Sequence, residues 1–420
     1  MQSGRSAEGW IAPDDAWTGR RRARRTAVVA ALAAAVAVAG CGSSSSSSSS
    51  ASSATSSTAA GTGTSTNASA SADPGVTHAQ QVVAKYSNPV SSYDVPTASV
   101  KNVAALKGKT VFYIPLLTQI PAFAIVGPSL QEALGKAGIT TRICNGQANP
   151  TGVAACVNQA VSAHASAIVT DAIPYEMAAN AFAGAVGKGI KLLVADQMDE
   201  PNRDQSDKLA YQPGVMNQAQ IVADWIIADS KGKANVIVGE EVDNPTSTAM
   251  ATQFMVPEFT QYCSGCQVTL RPITASSPDQ LASQVNSNVL KDPNVQYYFT
   301  QFEDSLQGTL QGLQQAGKAN SVKVEAASGS IAGLQKLKSG QSVNAELLVD
   351  LNYEAWADAD EVLRMLAGQP TVTETTPARL FTSQNINSVT LTPAAQASGE
   401  WYGDPAAFKA AFEKAWGVSG

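Results

Sequence analysis

Ala167-Ile-Val-Thr-Asp-Ala-Ile-Pro-Tyr-Glu-Met-Ala-Ala-Asn-Ala-Phe-Ala-Gly-Ala-Val-Gly-Lys-Gly-Ile-Lys-Leu-Leu-Val-Ala-Asp-Gln197 reads as a strand, a helix and a second strand. The runs Ala167–Thr170 and Ile190–Val194 are short and apolar, and the stretch Tyr175–Val186 between them has helical spacing. Such a unit makes its two strands parallel, joined by a right-handed crossover. Upstream the same alternation begins at Lys109–Ile114. A helix with Phe123, Val126, Leu130 and Leu134 on one face follows, and it stops at Lys136-Ala-Gly138. Then come Thr141–Ile143 and a helix opened by Asn149-Pro150, with Val153, Val157 and Val161 facing inward.

Downstream the alternation restarts. Predicted helices at 215–230, 246–262, 278–290 and 306–316 lead to predicted strands at 234–238, 267–270, 295–299 and 322–324. A last group comprises strand Leu347–Val349, helix Tyr353–Leu366, strand Arg379–Thr382 and a terminal helix Pro405–Trp416. Two successive sets predict an α/β protein of two doubly wound parallel-sheet lobes joined by a multi-strand hinge. The expected boundaries are 109–211 with 351–383 for lobe 1, and 212–350 with 384–420 for lobe 2, after a lead-in over 76–108. In open parallel sheets ligands sit at the carboxyl ends of the strands. Polar residues just after the strands are therefore the candidate site.

The N-terminus carries its own signal. Arg20, Arg21, Arg22, Arg24 and Arg25 precede the apolar stretch Thr26–Ala39, the order of an export signal. Val38-Ala39-Gly40-Cys41 resembles the lipobox of bacterial lipoproteins, which implies removal of residues 1–40 and lipidation of the Cys41 thiol. Ser43–Ser50 and the Ser/Ala/Thr/Gly tract after it hold almost no large apolar side chains. Residues 41–75 are thus expected to form a flexible tether. Loss of residues 1–40 leaves 22 basic against 31 acidic residues, a net charge of −9. A nucleic-acid-binding face is not expected at that charge. Cys144, Cys156, Cys263 and Cys266 are an even set in an oxidising compartment. Proximity alone pairs Cys144 with Cys156 and Cys263 with Cys266; neither a second CxxC nor a nearby His completes a zinc site.

From about Lys107 to the C-terminus the chain resembles the type I periplasmic sugar-binding proteins of the ribose-binding kind. Four stretches carry this: Thr118-Gln-Ile-Pro-Ala-Phe123, Val194-Ala-Asp-Gln197, Phe299–Lys318, and the closing Trp401-Tyr-Gly403 with Phe408–Gly417. The resemblance implies a ligand site made from Gln119, Phe123, Asp171, Asp196, Gln197, Asp243, Asn244, Phe302, Glu303, Ser328 and Asp350. Carboxylates and amides would pair with vicinal hydroxyls, and aromatic faces would pack on sugar C–H faces. Gln197 stands where the family has an arginine, and the stretch Thr246–Tyr262 has no Lys or Arg. The implied pocket is acidic and aromatic, so a sugar or other polyol, a larger or less polar molecule, or a cationic solute fits and an anion fits poorly.

The bland readings have weight too: strand-end acids such as Asp171 and Asp243 commonly serve as helix caps, and Phe123 lies on a core stripe. Enzyme signatures are few. The two histidines are His78, read as part of the tether, and His164, read as a turn residue. Gly312-x4-Gly317-Lys318 is followed by Ala319 and ends a helix, which is the wrong setting for a phosphate-binding loop. The expectation is a monomeric receptor without cofactor or metal, lipid-anchored outside the cytoplasmic membrane and feeding an ABC permease. A sensor subunit of the same fold and a secreted hydrolase are the alternatives.

Overall fold

The computed structural model describes residues 73–198, 206–214, 217–372 and 374–418. The lipidation at Cys41, the export signal and most of the tether lie outside the described residues. Among the described residues no helix is long and apolar enough to cross a membrane.

The chain opens with helix α1 (Pro74–Tyr86). The first lobe then builds β1 (Thr110–Pro115), α2 (Phe123–Lys136), β2 (Thr140–Ile143), α3 (Pro150–Ser162), β3 (Ala167–Asp171), α4 (Ala179–Gly187), β4 (Lys191–Ala195) and β5 (Leu209–Gln212). These strands form one parallel sheet in the order β2-β1-β3-β4-β5. The second lobe runs through α5 (Gln218–Ser230), β6 (Asn235–Glu241), α6 (Pro245–Ala249), α7 (Val256–Tyr262), β7 (Gln267–Ile273), α8 (Pro278–Lys291), β8 (Tyr297–Thr300), α9 (Leu306–Gln315), β9 (Lys323–Ala327), α10 (Ile331–Ser339) and β10 (Val343–Val349). The chain closes with α11 (Leu351–Leu366), β11 (Ala378–Thr382), α12 (Pro393–Ser398) and α13 (Pro405–Trp416). The second sheet has the order β11-β10-β9-β8-β6-β7, parallel except for β11.

Local sequence explains most boundaries. Asn149 accepts from Gly152 N and Pro150 occupies the first turn of α3, where a missing N–H costs nothing. Asp350 caps α11 by accepting from the backbone of Asn352 and Tyr353. Helices α6 and α7 are joined through a π-helical turn, Met250–Met255, so the single helix expected over 246–262 is wound more widely at its centre. Pro272 is tolerated in β7 because that strand is a sheet edge.

The two-lobed parallel-sheet architecture agrees with the sequence pattern, but three late or early elements sit elsewhere than expected. Strand β11, assigned to lobe 1, pairs antiparallel with β10 in lobe 2. Helix α13, assigned to lobe 2, packs on lobe 1: Phe408, Phe412 and Trp416 surround Trp356 of α11, with the two indoles stacked 5.4 Å apart. Helix α1, read as lead-in, lies on the second lobe, where Ala79 is fully buried in its core. Strand β11 and helix α13 were legible and their partners were not, because amphipathicity shows that a face is buried without naming what buries it; α1 was not legible as a helix at all. Cys144 is bonded to Cys156 and Cys263 to Cys266.

Candidate functional site

The carboxyl ends of both sheets border a single cavity of about 310 Å³ between the lobes. Three turns that reach it hold non-glycine residues in left-handed backbone: Ala172 (φ 55°) after β3, Asp196 (φ 54°) after β4 and Ser328 (φ 52°) after β9. Such residues are uncommon, and strained turns of this kind cluster where a site needs a side chain aimed. Gly214 leaves room for the Asp196 carboxylate; a Cβ there would collide with Oδ1.

From the first lobe Phe123, Asp196 and Gln197 line the cavity, as the resemblance implied. From the second lobe Asn244, Phe302, Glu303 and Ser328 do so. The lobes touch directly where Thr246 Oγ1 donates to Gln197 Oε1 at 3.3 Å. Asn244 also caps α6 through Thr246 N, and Ser328 donates to Gln218 from both backbone and hydroxyl.

Four expected residues do not reach the cavity. Gln119 is exposed on the turn before α2. Asp171 is buried behind the cavity and accepts from the Tyr113 hydroxyl at 2.5 Å. Asp243 holds a turn, accepting from Ala275 N at 3.0 Å and Ser276 N at 2.9 Å. Asp350 is spent on the α11 cap and on a 3.4 Å bond from the Tyr93 hydroxyl. Asp171 and Asp243 cap no helix: the first meets a tyrosine hydroxyl and the second braces a turn, while the helix cap among these acids is Asp350.

The structure adds Glu241, Asp304, Gln218 and Glu354 to the polar lining, and Met250 and Leu351 to the apolar lining. Glu354 was the hardest to find. It lies a turn inside α11, and only the packing of that helix against β3 and β4 turns it toward Asp196. Glu241 ends β6 and could have been found by the strand-end rule that picked Asp196.

The cavity is acidic. Among the described residues, no Lys or Arg lines it. Burial, then the neighbouring Asp196, holds Asp171 well above the usual carboxylate range. Burial followed by repulsion from Asp196, Asp171 and Asp358 does the same to Glu354. Asp196 is raised by burial, against hydrogen bonds shared with Asp171 and Glu354. Across the cavity burial and Asp304 push Glu241 up to about 8, opposed by the Ser305 hydroxyl that donates to it at 2.6 Å. Carboxyls raised in this way keep their protons to higher pH than usual, and the protonated form both donates and accepts, while Phe123 and Phe302 supply flat apolar faces. The arrangement suits an uncharged polyhydroxylated molecule or one with a positive group.

The comparisons agree with this geometry. The solved ABC sugar transporter subunit from Rhodobacter sphaeroides is similar at 17% identity and TM-score 0.56, covering 67% of this chain and 100% of that one. The 5-methylthioribose transporter solute-binding protein from Thermotoga lettingae, in complex with 5-methylthioribose, is similar at 14% identity and TM-score 0.58, covering 73% and 98%. An ABC transporter solute-binding protein from Agrobacterium vitis, bound with alpha-D-tagatopyranose, gives 17% identity and TM-score 0.58, covering 68% and 97%. At such identities the likeness is one of fold. No curated protein matches the sequence. The profile of the periplasmic binding protein domain matches residues 111–369, more than half the chain, and takes in both sheets up to β10 together with α11. The chain belongs to the periplasmic binding protein domain family.

Proposed function

We propose that the protein is an extracytoplasmic solute receptor that closes its two lobes on a sugar or polyol and delivers it to an ABC permease. The observation that carries this is the inter-lobe cavity, where strand-end carboxylates, amides and two phenyl rings converge from both sheets. Ligand contact with both walls favours the closed form over the open one. Lipidation of Cys41 would keep the receptor beside its permease and raise the effective concentration of the closed form there. The ligands bound in the similar structures, 5-methylthioribose and tagatopyranose, support the sugar-like class. The acidic lining supports a ligand without phosphate or carboxylate. The protein binds its ligand and releases it unchanged.

A soluble form beginning at Asp73, which retains α1, tests this by thermal shift against sugars, polyols, nucleosides and amines. A ligand at about 100 times its Kd adds about 2.7 kcal/mol of stability. A rise in Tm with one or more neutral sugars, together with recovery of the unaltered sugar, is expected. No shift with any member, or chemical conversion of the sugar, refutes the receptor reading.

A further inference from the structure

Three metal-ligating side chains meet on the second lobe outside the cavity lining: His78 of α1, Asp224 of α5 and Glu258 of α7. We propose that His78 Nε2, Asp224 Oδ1 and Glu258 Oε1 bind a first-row divalent transition-metal ion that fastens the N-terminal helix to the lobe.

The spacing carries the argument. His78 Nε2 lies 3.3 Å from Glu258 Oε1 and 3.8 Å from Asp224 Oδ1, and the three ligand atoms all lie within 4.8 Å of one another. Zinc bonds of about 2.0–2.2 Å in a tetrahedron set neighbouring ligand atoms about 3.3–3.6 Å apart. A direct charge-assisted hydrogen bond would close to about 2.7–2.9 Å. The His78–Glu258 separation falls in that span and the His78–Asp224 one just beyond it, and both are too long for a charge-assisted hydrogen bond, so a small inward shift of Asp224 would complete the set around an ion.

The surroundings hold each ligand in place. The His78 ring stacks on Tyr262 with centroids 3.8 Å apart and planes 8° apart, which fixes its plane. Gln220 Nε2 donates to Glu258 Oε2 at 3.1 Å, leaving Oε1 for the centre, the kind of outer support that metal ligands need. Asp224 is 2% exposed, and its Oδ1 accepts no hydrogen bond. A buried carboxylate oxygen left so is costly, and a cation is the partner that would satisfy it. Among the described residues no Lys or Arg pairs with either carboxylate. Helix α1 can approach this closely because Gly75 faces the Tyr262 carbonyl, where a Cβ would collide.

The donor set selects the class of ion. Imidazole nitrogen with two carboxylates suits zinc and its first-row neighbours, whereas magnesium and calcium prefer oxygen alone. The His78 side chain is 35% exposed, so the ion has a route from solvent and water can complete its coordination. The ion would bridge α1 to α5 and α7, so it would act as a staple at the start of the folded part.

The test uses the full chain without an affinity tag, stripped with chelator and titrated with zinc against a chromogenic competitor, and with cobalt for its visible spectrum. One equivalent of zinc should bind, with a rise in Tm of several degrees. His78→Ala, Asp224→Asn and Glu258→Gln should each weaken binding by about 100-fold, and Gln220→Ala by about 10–100-fold as an outer partner. The cobalt spectrum should disappear with His78→Ala. Each variant is first melted in chelator; one that unfolds is replaced by His78→Gln, which keeps a polar side chain at this half-exposed position. Failure to bind an equivalent of zinc, or unchanged binding in the His78 variants, overturns the proposal.

Discussion

The two walls of the cavity solve the same electrostatic problem differently. On the lobe 1 side Asp171, Asp196, Glu354 and Asp358 are buried near one another, and burial with mutual repulsion raises Asp171 and Glu354 well above the usual carboxylate range. On the lobe 2 side Glu241 has neutral hydrogen-bond partners. Its side chain accepts from Ser305, and its backbone N–H donates to Ser247 Oγ at 2.9 Å and to Gln301 Oε1 at 3.3 Å. Both walls hold carboxyls raised by burial; the first crowds them together, and the second adds hydroxyl and amide partners around Glu241. Wall one also leans on the aromatic pile of Trp356, Phe408, Phe412 and Trp416, which anchors α11 and with it Glu354. The comparison teaches that buried acids of one lining can be crowded against each other or set among neutral hydrogen-bond partners, and that the two respond to different perturbations.

Trp356→Ala breaks the support of the first wall and should have the largest effect. Its side chain is fully buried, and truncation costs about 3–5 kcal/mol. Urea melts of the soluble form should show that loss with an unchanged slope. An equal loss for a truncation in wall two that leaves ligand affinity intact would argue against α11 as the scaffold of the site.

Asp196→Ala sharpens the comparison on the binding side. The loss of a hydrogen bond to a charged or proton-sharing group costs about 1.5–3 kcal/mol, so affinity for the sugar selected by the thermal-shift screen should fall by about tenfold or more. Calorimetric titration reads it, and unchanged affinity removes Asp196 from the site. Ser305→Ala strips Glu241 of its 2.6 Å donor and leaves a buried oxygen unsatisfied, at about 1–3 kcal/mol. That loss should appear in denaturant melts, and its absence would mean that wall two does not depend on its hydroxyls.

The pH dependence follows from the raised carboxyls. Burial puts Glu241 up to about 8 and Asp350 up to about 7, and raises Asp171, Asp196 and Glu354 as well. Between the ordinary carboxylate range and those values the unfolded chain has released protons that the folded chain still holds. Stability therefore falls as pH rises from about 5 to about 8. Asp207 and Asp243 are shifted downward, so their contribution is lost only in acid, below this window. Tm should decline over that interval, and Glu354→Gln should flatten the decline because it removes one proton-holding group from wall one. A flat wild-type profile would show that the acids are not held protonated.

Asp243→Ala should have the smallest effect. Asp243 braces the backbone of Ala275 and Ser276 outside the cavity, so about 1 kcal/mol of stability should go while ligand affinity stays unchanged. A loss of affinity would return Asp243 to the site.

Strand ends were legible because the two periods of the chain, alternating short apolar runs and helical stripes, are written locally. The resemblance, laid on those strand ends, named Asp196, Asn244 and Ser328, and the strand-end rule could have found Glu241. It failed where a strand-end acid had a nearer task, as with Asp350 at the N-terminus of α11. It also failed where the lining residue came from a helix interior, as with Glu354 and Met250. His78, taken as part of the tether, belongs to a helix whose apolar face is buried by the second lobe. Nothing in the 13 residues of α1 says so, since its partners lie more than a hundred residues away.

By itself the sequence determined the alternation of most strands and helices and the parallel, two-lobed plan, though not α1, β5, α10 or α12. These follow from the spacing of apolar residues and from the handedness of the crossover, both properties of neighbouring residues. Only the tertiary structure decided which lobe receives α1, β11 and α13, and which acids meet at the cavity. Those outcomes depend on packing between segments far apart in the chain, and side chains of the same type compete for each place until shape and burial choose among them.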